Sequence, residues 1–174
     1  VCCRVKEDGT LAIGWYQWYD TKYYFGTDGI GYEGFQTVDG KQYYFYMGKC
    51  YCDTIETVDG INYIFDEDGT PTEAKNNAWN QLGEKYYYVK DGEFLKGCVE
   101  KIGDAYYGFD WEGIMYQDTS FSIWDSETGK SVSYRANADG KLVTGWYTNG
   151  SEEYYYGTDG KGYEGLQTVD GTPY

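Results

Sequence analysis

The feature that most constrains this chain is that it repeats itself. Arg4 to Tyr43 aligns without a gap on Arg135 to Tyr174. Gly14-Trp15-Tyr16 meets Gly145-Trp146-Tyr147, and Gly26-Thr27-Asp28-Gly29 meets Gly157-Thr158-Asp159-Gly160. Gly31-Tyr32-Glu33-Gly34 meets Gly162-Tyr163-Glu164-Gly165, and Gln36-Thr37-Val38-Asp39-Gly40 meets Gln167-Thr168-Val169-Asp170-Gly171. A shorter period runs beneath. Aromatic triplets at Tyr23-Tyr24-Phe25 and Tyr43-Tyr44-Phe45 recur more loosely at Tyr63-Ile64-Phe65, Tyr86-Tyr87-Tyr88, Tyr106-Tyr107 with Phe109, and Tyr154-Tyr155-Tyr156. Val132-Ser133-Tyr134 fills the remaining slot. The spacing, roughly 20 to 26 residues, falls in the range of solenoid units.

Each unit carries the same grammar. A short strand leads into Asp-Gly, a strong hairpin turn because glycine tolerates positive φ. The aromatic triplet then forms the second strand, and a second turn such as Thr27-Asp28-Gly29 follows. A lone hairpin cannot bury its aromatic face, whereas stacked hairpins can. The expected fold is therefore all-β, a solenoid of stacked β-hairpins of about 20 residues each. Residues 1–174 read as a single repeat array, better matched over 4–71 and 135–174 and divergent over 72–134. Within that middle, Thr72 to Leu82 reads as a long loop or a short helical turn, and Thr119 to Gly129 stretches the spacing. Val1-Cys2-Cys3 occupies the triplet slot matched by Val132-Ser133-Tyr134, and the chain ends inside Asp170-Gly171-Thr172-Pro173-Tyr174. This reads as a slice of a longer protein, with pairing of half-hairpins between molecules as the other reading. Oligomeric state stays open.

Composition removes several functions. With 0 histidines, neither a Ser-His-Asp nor a Cys-His unit can be built. The formal charge of -15, from 14 basic and 29 acidic residues, repels nucleic acid and anionic membrane. No apolar run approaches the roughly 18 residues of a membrane span, and no basic segment leads into an apolar one of secretory type. Asp66-Glu67-Asp68-Gly69 resembles the start of a calcium loop but lacks the downstream Glu, so a turn is expected there. No carboxylate pair stands clear of turn positions in the manner of a glycosidase. No catalytic residue, metal or cofactor is expected. The five cysteines, Cys2, Cys3, Cys50, Cys52 and Cys98, include no CxxC. Free thiols and one or two disulfides both fit; a four-thiolate zinc site fits poorly. On a strand, Cys50 and Cys52 would share a face.

The Gly-Trp pairs at 14–15 and 145–146, the Gln-Thr-Val-Asp-Gly runs at 36–40 and 167–171 and the Tyr-Tyr-Phe/Tyr triplets resemble the cell-wall-binding or choline-binding type repeat family. That family includes the glucan-binding repeats of glucansucrases and the C-terminal repeats of clostridial toxins. In the choline-binding branch an extra Trp precedes the Tyr-Tyr pair. Here that slot holds Lys22, Gln42, Asn62, Lys85, Ala105, Ser131 and Glu153. Asp39 to Phe45 is worded more like the glucan-binding and toxin versions.

The resemblance implies a non-catalytic module of a secreted or surface bacterial protein that binds a polysaccharide or cell-wall glycan. By analogy with the glucan-binding repeats, Trp15, Tyr24, Gln36 and Tyr44 would form one pocket, with Lys41 as a hydroxyl donor. Trp146, Tyr155 and Gln167 would form its counterpart. The chemistry is apt, since aromatic rings pack on a pyranose face while amides and charged groups take its hydroxyls. Two other readings compete: a structural spacer or adhesin stalk, in which both tryptophans merely plug hairpin contacts, and choline-type wall anchoring. Trp18, Trp79, Trp111 and Trp124 lie outside the best-matching grammar and receive no ligand role.

Overall fold

The structure is a computed structural model that describes residues 2–126 and 128–174. Of the first triplet slot, Val1 lies outside the described residues, as does Glu127 within the stretch Thr119 to Gly129. Among the described residues there is no helix. The chain divides into two compact units. The first comprises the described residues up to Gly83 together with Asp91–Glu93, and the second Glu84–Lys90 with Phe94–Tyr174.

In the first unit the strands are β1 (Gly14–Trp18), β2 (Thr21–Phe25), β3 (Gly34–Val38), β4 (Lys41–Tyr46), β5 (Lys49–Cys50), β6 (Thr54–Val58), β7 (Ile61–Phe65), β8 (Pro71–Glu73) and β9 (Ala78–Leu82). They form antiparallel hairpins: β1 with β2, β3 with β4, and β6 with β7. The five-stranded sheet has the order β1-β2-β5-β4-β3. The β3–β4 and β6–β7 turns, Asp39-Gly40 and Asp59-Gly60, follow the Asp-Gly grammar, whereas β1 and β2 are joined by Tyr19-Asp20, with Tyr19 at a φ of 50°. Asp39 and Gly40 have φ of 51° and 81°, the paired left-handed conformation of a type I′ turn. The other class of Asp-Gly closes a loop after the triplet. Asp66 Oδ1 accepts the Thr70 amide at 2.8 Å and Gly69 N donates to Asp66 O at 2.9 Å, so that carboxylate holds its own turn.

Further along the chain come β10 (Lys85–Lys90), β11 (Glu93–Phe94), β12 (Cys98–Ile102), β13 (Ala105–Phe109), β14 (Ser120–Asp125), β15 (Lys130–Arg135), β16 (Gly145–Asn149), β17 (Glu152–Tyr156), β18 (Thr168–Val169) and β19 (Thr172–Pro173). The hairpins β12–β13, β14–β15, β16–β17 and β18–β19 repeat the pattern within the second unit.

The last residue of each good triplet is core. Phe25, Phe45, Phe65, Phe109 and Tyr156 are all buried. Contacts pass from one hairpin to the next: within the first unit Tyr32 packs on Phe45 at 5.8 Å, and Tyr51 on Phe65 at 5.7 Å. The equivalence of the two long copies extends to the backbone. Gly31 N donates to Cys2 O and Gly162 N to Ser133 O, each at 2.8 Å, while Tyr32 N donates to Tyr24 O and Tyr163 N to Tyr155 O, each at 3.0 Å.

Residues 72–82 differ from the loop or helical turn expected of them. They hold the end of β8, a turn, and β9. The side chain of the buried Asn80 ties that turn together, accepting from Lys75 N at 2.8 Å and donating to Lys75 O and Ala78 O at 3.0 Å. The stretched segment after Thr119 is likewise ordinary hairpin: β14 pairs with β15 over six residues, from Ser120 opposite Arg135 to Asp125 opposite Lys130.

Candidate functional site

Register puts Trp15 of β1 directly opposite Tyr24 of β2, and the rings meet edge-to-face at 5.1 Å. Tyr43, the first tyrosine of the following hairpin, also meets Trp15 edge-to-face at 5.1 Å. The same triad recurs. Phe35 meets Tyr44 at 5.0 Å and Tyr63 at 5.1 Å. In the second unit Trp146 meets Tyr155 at 5.1 Å and Tyr174 at 4.9 Å. One rule generates all three: the aromatic after the strand-opening glycine, the middle residue of its own triplet, and the first residue of the next. Such edge-to-face pairs contribute about 0.5–1.5 kcal/mol each beyond their buried area.

An open cleft lies beside each tryptophan. The first, of about 350 Å³, is lined by Trp15, Tyr16, Gln17, Lys22, Tyr43 and Asp68. Trp15 remains 41% exposed, so part of its ring faces the cleft rather than the core. Lys22 reaches across with its Nζ donating to Glu67 O at 3.3 Å. Burial, with the nearby charges of Asp68 and Asp39, pushes the Tyr43 hydroxyl above the ordinary tyrosine range, so it is a neutral donor at physiological pH. The second cleft, of about 190 Å³, includes Trp146, Glu153, Tyr155, Tyr163, Gln167 and Tyr174. Its tryptophan is 46% exposed. The residue preceding the tyrosine triplet lines both clefts, but it is Lys22 in one and Glu153 in the other.

The expected site residues thus divide. Trp15 and Tyr24 come together, as do Trp146, Tyr155 and Gln167. Tyr44 does not join Trp15. It alternates to the opposite face of β4 from Tyr43 and belongs to the Phe35 triad. Gln36 is exposed and turns back on its own loop, its Nε2 donating to Glu33 O at 2.9 Å; Gln167 does the same to Glu164 O at 2.9 Å. Lys41 is exposed at the start of β4 and does not line the first cleft. Sequence reasoning missed Tyr43, Tyr174, Gln17, Lys22 and Asp68. The signal for the first pair was present, since both are the first triplet aromatic after a Gln-Thr-Val-Asp-Gly run. Of the tryptophans outside the repeat grammar, Trp18 lies under the Arg4 guanidinium at 4.2 Å, and Trp111 and Trp124 are largely exposed. Among the described residues no group of three or more Cys, Asp or Glu side chains is arranged to hold a metal ion.

No family model matches the chain. It is similar to glucosyltransferase-I of Streptococcus downei, with 33% identity over 150 residues, covering 84% of this chain and 9% of that protein. It is similar also to glucosyltransferase-S of Streptococcus mutans serotype c, with 31% identity over 160 residues, covering 87% of this chain and 10% of that one. The chain therefore spans about a tenth of the length of these relatives. Among solved structures, choline binding protein F from Streptococcus pneumoniae matches at 25% identity and a TM-score of 0.47, over 90% of this chain and 49% of that one.

Proposed function

As the chain belongs to the family of choline-binding and glucan-binding type repeats, we propose that it is a non-catalytic carbohydrate-binding module of a secreted or surface bacterial protein. The observation that carries this is the recurrence of one half-exposed tryptophan, in edge-to-face contact with two tyrosines beside an open cleft, in both long repeats. The exposed part of the indole offers an apolar platform for one face of a pyranose. Gln17, Lys22, Asp68 and the neutral Tyr43 hydroxyl border the first cleft as donors and acceptors for the sugar rim. Each cleft is open. A polymer offers each cleft many overlapping copies of the same sugar unit, so apparent affinity rises with polymer length. The acidic surface fits a neutral glycan and opposes polyanions.

Calorimetry with neutral α-glucans of increasing length tests this reading. Binding that tightens with length and weakens in both Trp15→Ala and Trp146→Ala supports it. No heat with any neutral glycan at millimolar sugar overturns it and leaves the spacer reading.

A second reading attaches to the second cleft alone. Glu153 lines that cleft together with the rings of Trp146, Tyr155, Tyr163 and Tyr174, a setting that attracts an organic cation. In the first cleft the Lys22 ammonium offsets the pull that Asp68 would exert on one. Titration with choline distinguishes the two: tryptophan quenching that disappears in Glu153→Gln favours the cation, and no quenching removes it.

A further inference from the structure

Behind the Tyr43 wall of the first cleft sits a pair of thiols that glycan binding does not use. Cys50 ends β5 and Cys52 lies two residues on, and their sulfurs are 3.2 Å apart. The approach is enforced by the surroundings. Between them, Tyr51 is pinned by its amide, which donates to Tyr44 O at 3.0 Å, and by its ring against Tyr44 at 5.3 Å and Phe65 at 5.7 Å. The turn at Gly69 closes over both sulfurs. A Cβ there would lie 2.7 Å from Cys50 Sγ and 3.0 Å from Cys52 Sγ. The two thiols differ in access: Cys50 is 3% exposed, while Cys52 is partly open.

We propose that Cys50 and Cys52 form a dithiol modification site, oxidised to an intrachain disulfide by a low-molecular-weight disulfide. The Cys52 thiolate attacks one sulfur of the oxidant, whose S–S bond breaks and whose other half leaves as a thiolate and takes up a proton. Cys50 then loses its proton and attacks Cys52 Sγ, forming the Cys50–Cys52 bond and expelling the second half of the oxidant as a thiol. The two cysteines together lose two electrons and two protons, and one oxidant molecule becomes two thiols. The sulfurs need approach by little more than an ångström, from 3.2 Å to about 2.05 Å. The order of attack follows from the environment. The hydrogen bond between the sulfurs and the nearby Lys22 ammonium lower the Cys52 thiol, whereas that hydrogen bond and burial raise Cys50. Cys98 has no such partner sulfur, and burial raises it.

The test is oxidation of the reduced protein with oxidised glutathione, followed by alkylation and peptide mapping. The expected result is a linked peptide joining Cys50 to Cys52 in place of the two alkylated cysteines, with Cys98 still alkylated. Cys50→Ser stops at a stable glutathione adduct on Cys52, because the resolving thiol is missing. Cys52→Ser takes up no glutathione at position 50, because that sulfur is buried. Recovery of Cys50 and Cys52 as free thiols in the wild-type protein overturns the proposal without any variant needing to fold. So does linkage of Cys52 to Cys2 or Cys3, or identical behaviour of the two serine variants.

Discussion

Tyr43 and Tyr44 are adjacent in the chain and serve different triads. Strand alternation sends Tyr43 to Trp15 and Tyr44 to Phe35. The middle tyrosine of a hairpin was legible as a partner of the tryptophan because both lie in one hairpin, where register fixes who faces whom. Tyr43 was not, because it arrives from the next hairpin, and strand periodicity carries no information about how successive hairpins abut. Phe35 also shows what the triad needs for packing alone, since it fills the tryptophan position with a smaller ring. Trp15→Phe is therefore expected to leave the denaturation midpoint nearly unchanged while reducing glucan affinity, as the exposed part of the indole is lost. Trp15→Ala removes the ring contacts with Tyr24, Tyr43 and Phe45 and lowers stability by about 1.5–4.5 kcal/mol, at about 0.5–1.5 kcal/mol per aromatic pair. Urea denaturation alongside calorimetry separates the two effects. Equal glucan affinity in wild type and Trp15→Phe would show that the sugar does not touch this ring.

The hairpin is the element through which sequence dictates this fold, and its glycines act for two distinct reasons. Gly60 has a φ of 80° and nothing within 4 Å of the position a Cβ would take. Gly60→Ala is therefore penalised by backbone conformation alone, about 1 kcal/mol or somewhat more. Gly31 has no such φ, but a Cβ there would lie 2.8 Å from Gly48 Cα and 2.9 Å from Gly48 N. Gly31→Ala forces the turn after β4 away from β2 and is expected to cost about 1–3 kcal/mol, as overpacking does. Asn substitution separates the mechanisms: Gly60→Asn recovers much of the loss because Asn tolerates left-handed φ, whereas Gly31→Asn does not. Measured unfolding free energies for the four variants check this. The Asp-Gly turns were readable because local chemistry alone determines them. Residues 72–82 were not, because their strands depend on Asn80 bracing the turn from within. An asparagine in a polar stretch looks the same in sequence whether it is buried or solvated.

At the scale of the molecule, the tyrosine count becomes a statement about pH. Burial is the leading cause raising Tyr43, Tyr44 and Tyr51 in the first unit, and Tyr116, Tyr134 and Tyr156 in the second. In the unfolded chain these hydroxyls ionise near pH 10, the ordinary tyrosine value of about 10. In the folded chain they hold their protons to higher pH. Above about pH 10 the unfolded state therefore binds fewer protons than the native state, and stability falls as pH rises. The contribution is present in full below the unfolded value and is lost through the raised folded values. Ionisation also adds negative charge to a chain already at -15, which deepens the loss at low ionic strength and makes it partly recoverable with salt. Denaturation midpoints at about pH 8 and about pH 11, each at low and high salt, should show a large fall on the alkaline side that salt reduces. The part of the tyrosinate absorbance that belongs to these buried rings should rise together with the loss of the circular dichroism signal. Ionisation of the full tyrosine complement while the dichroism stays native would mean that the triads and triplet cores admit charge, and would remove burial as the reason these rings hold each unit together.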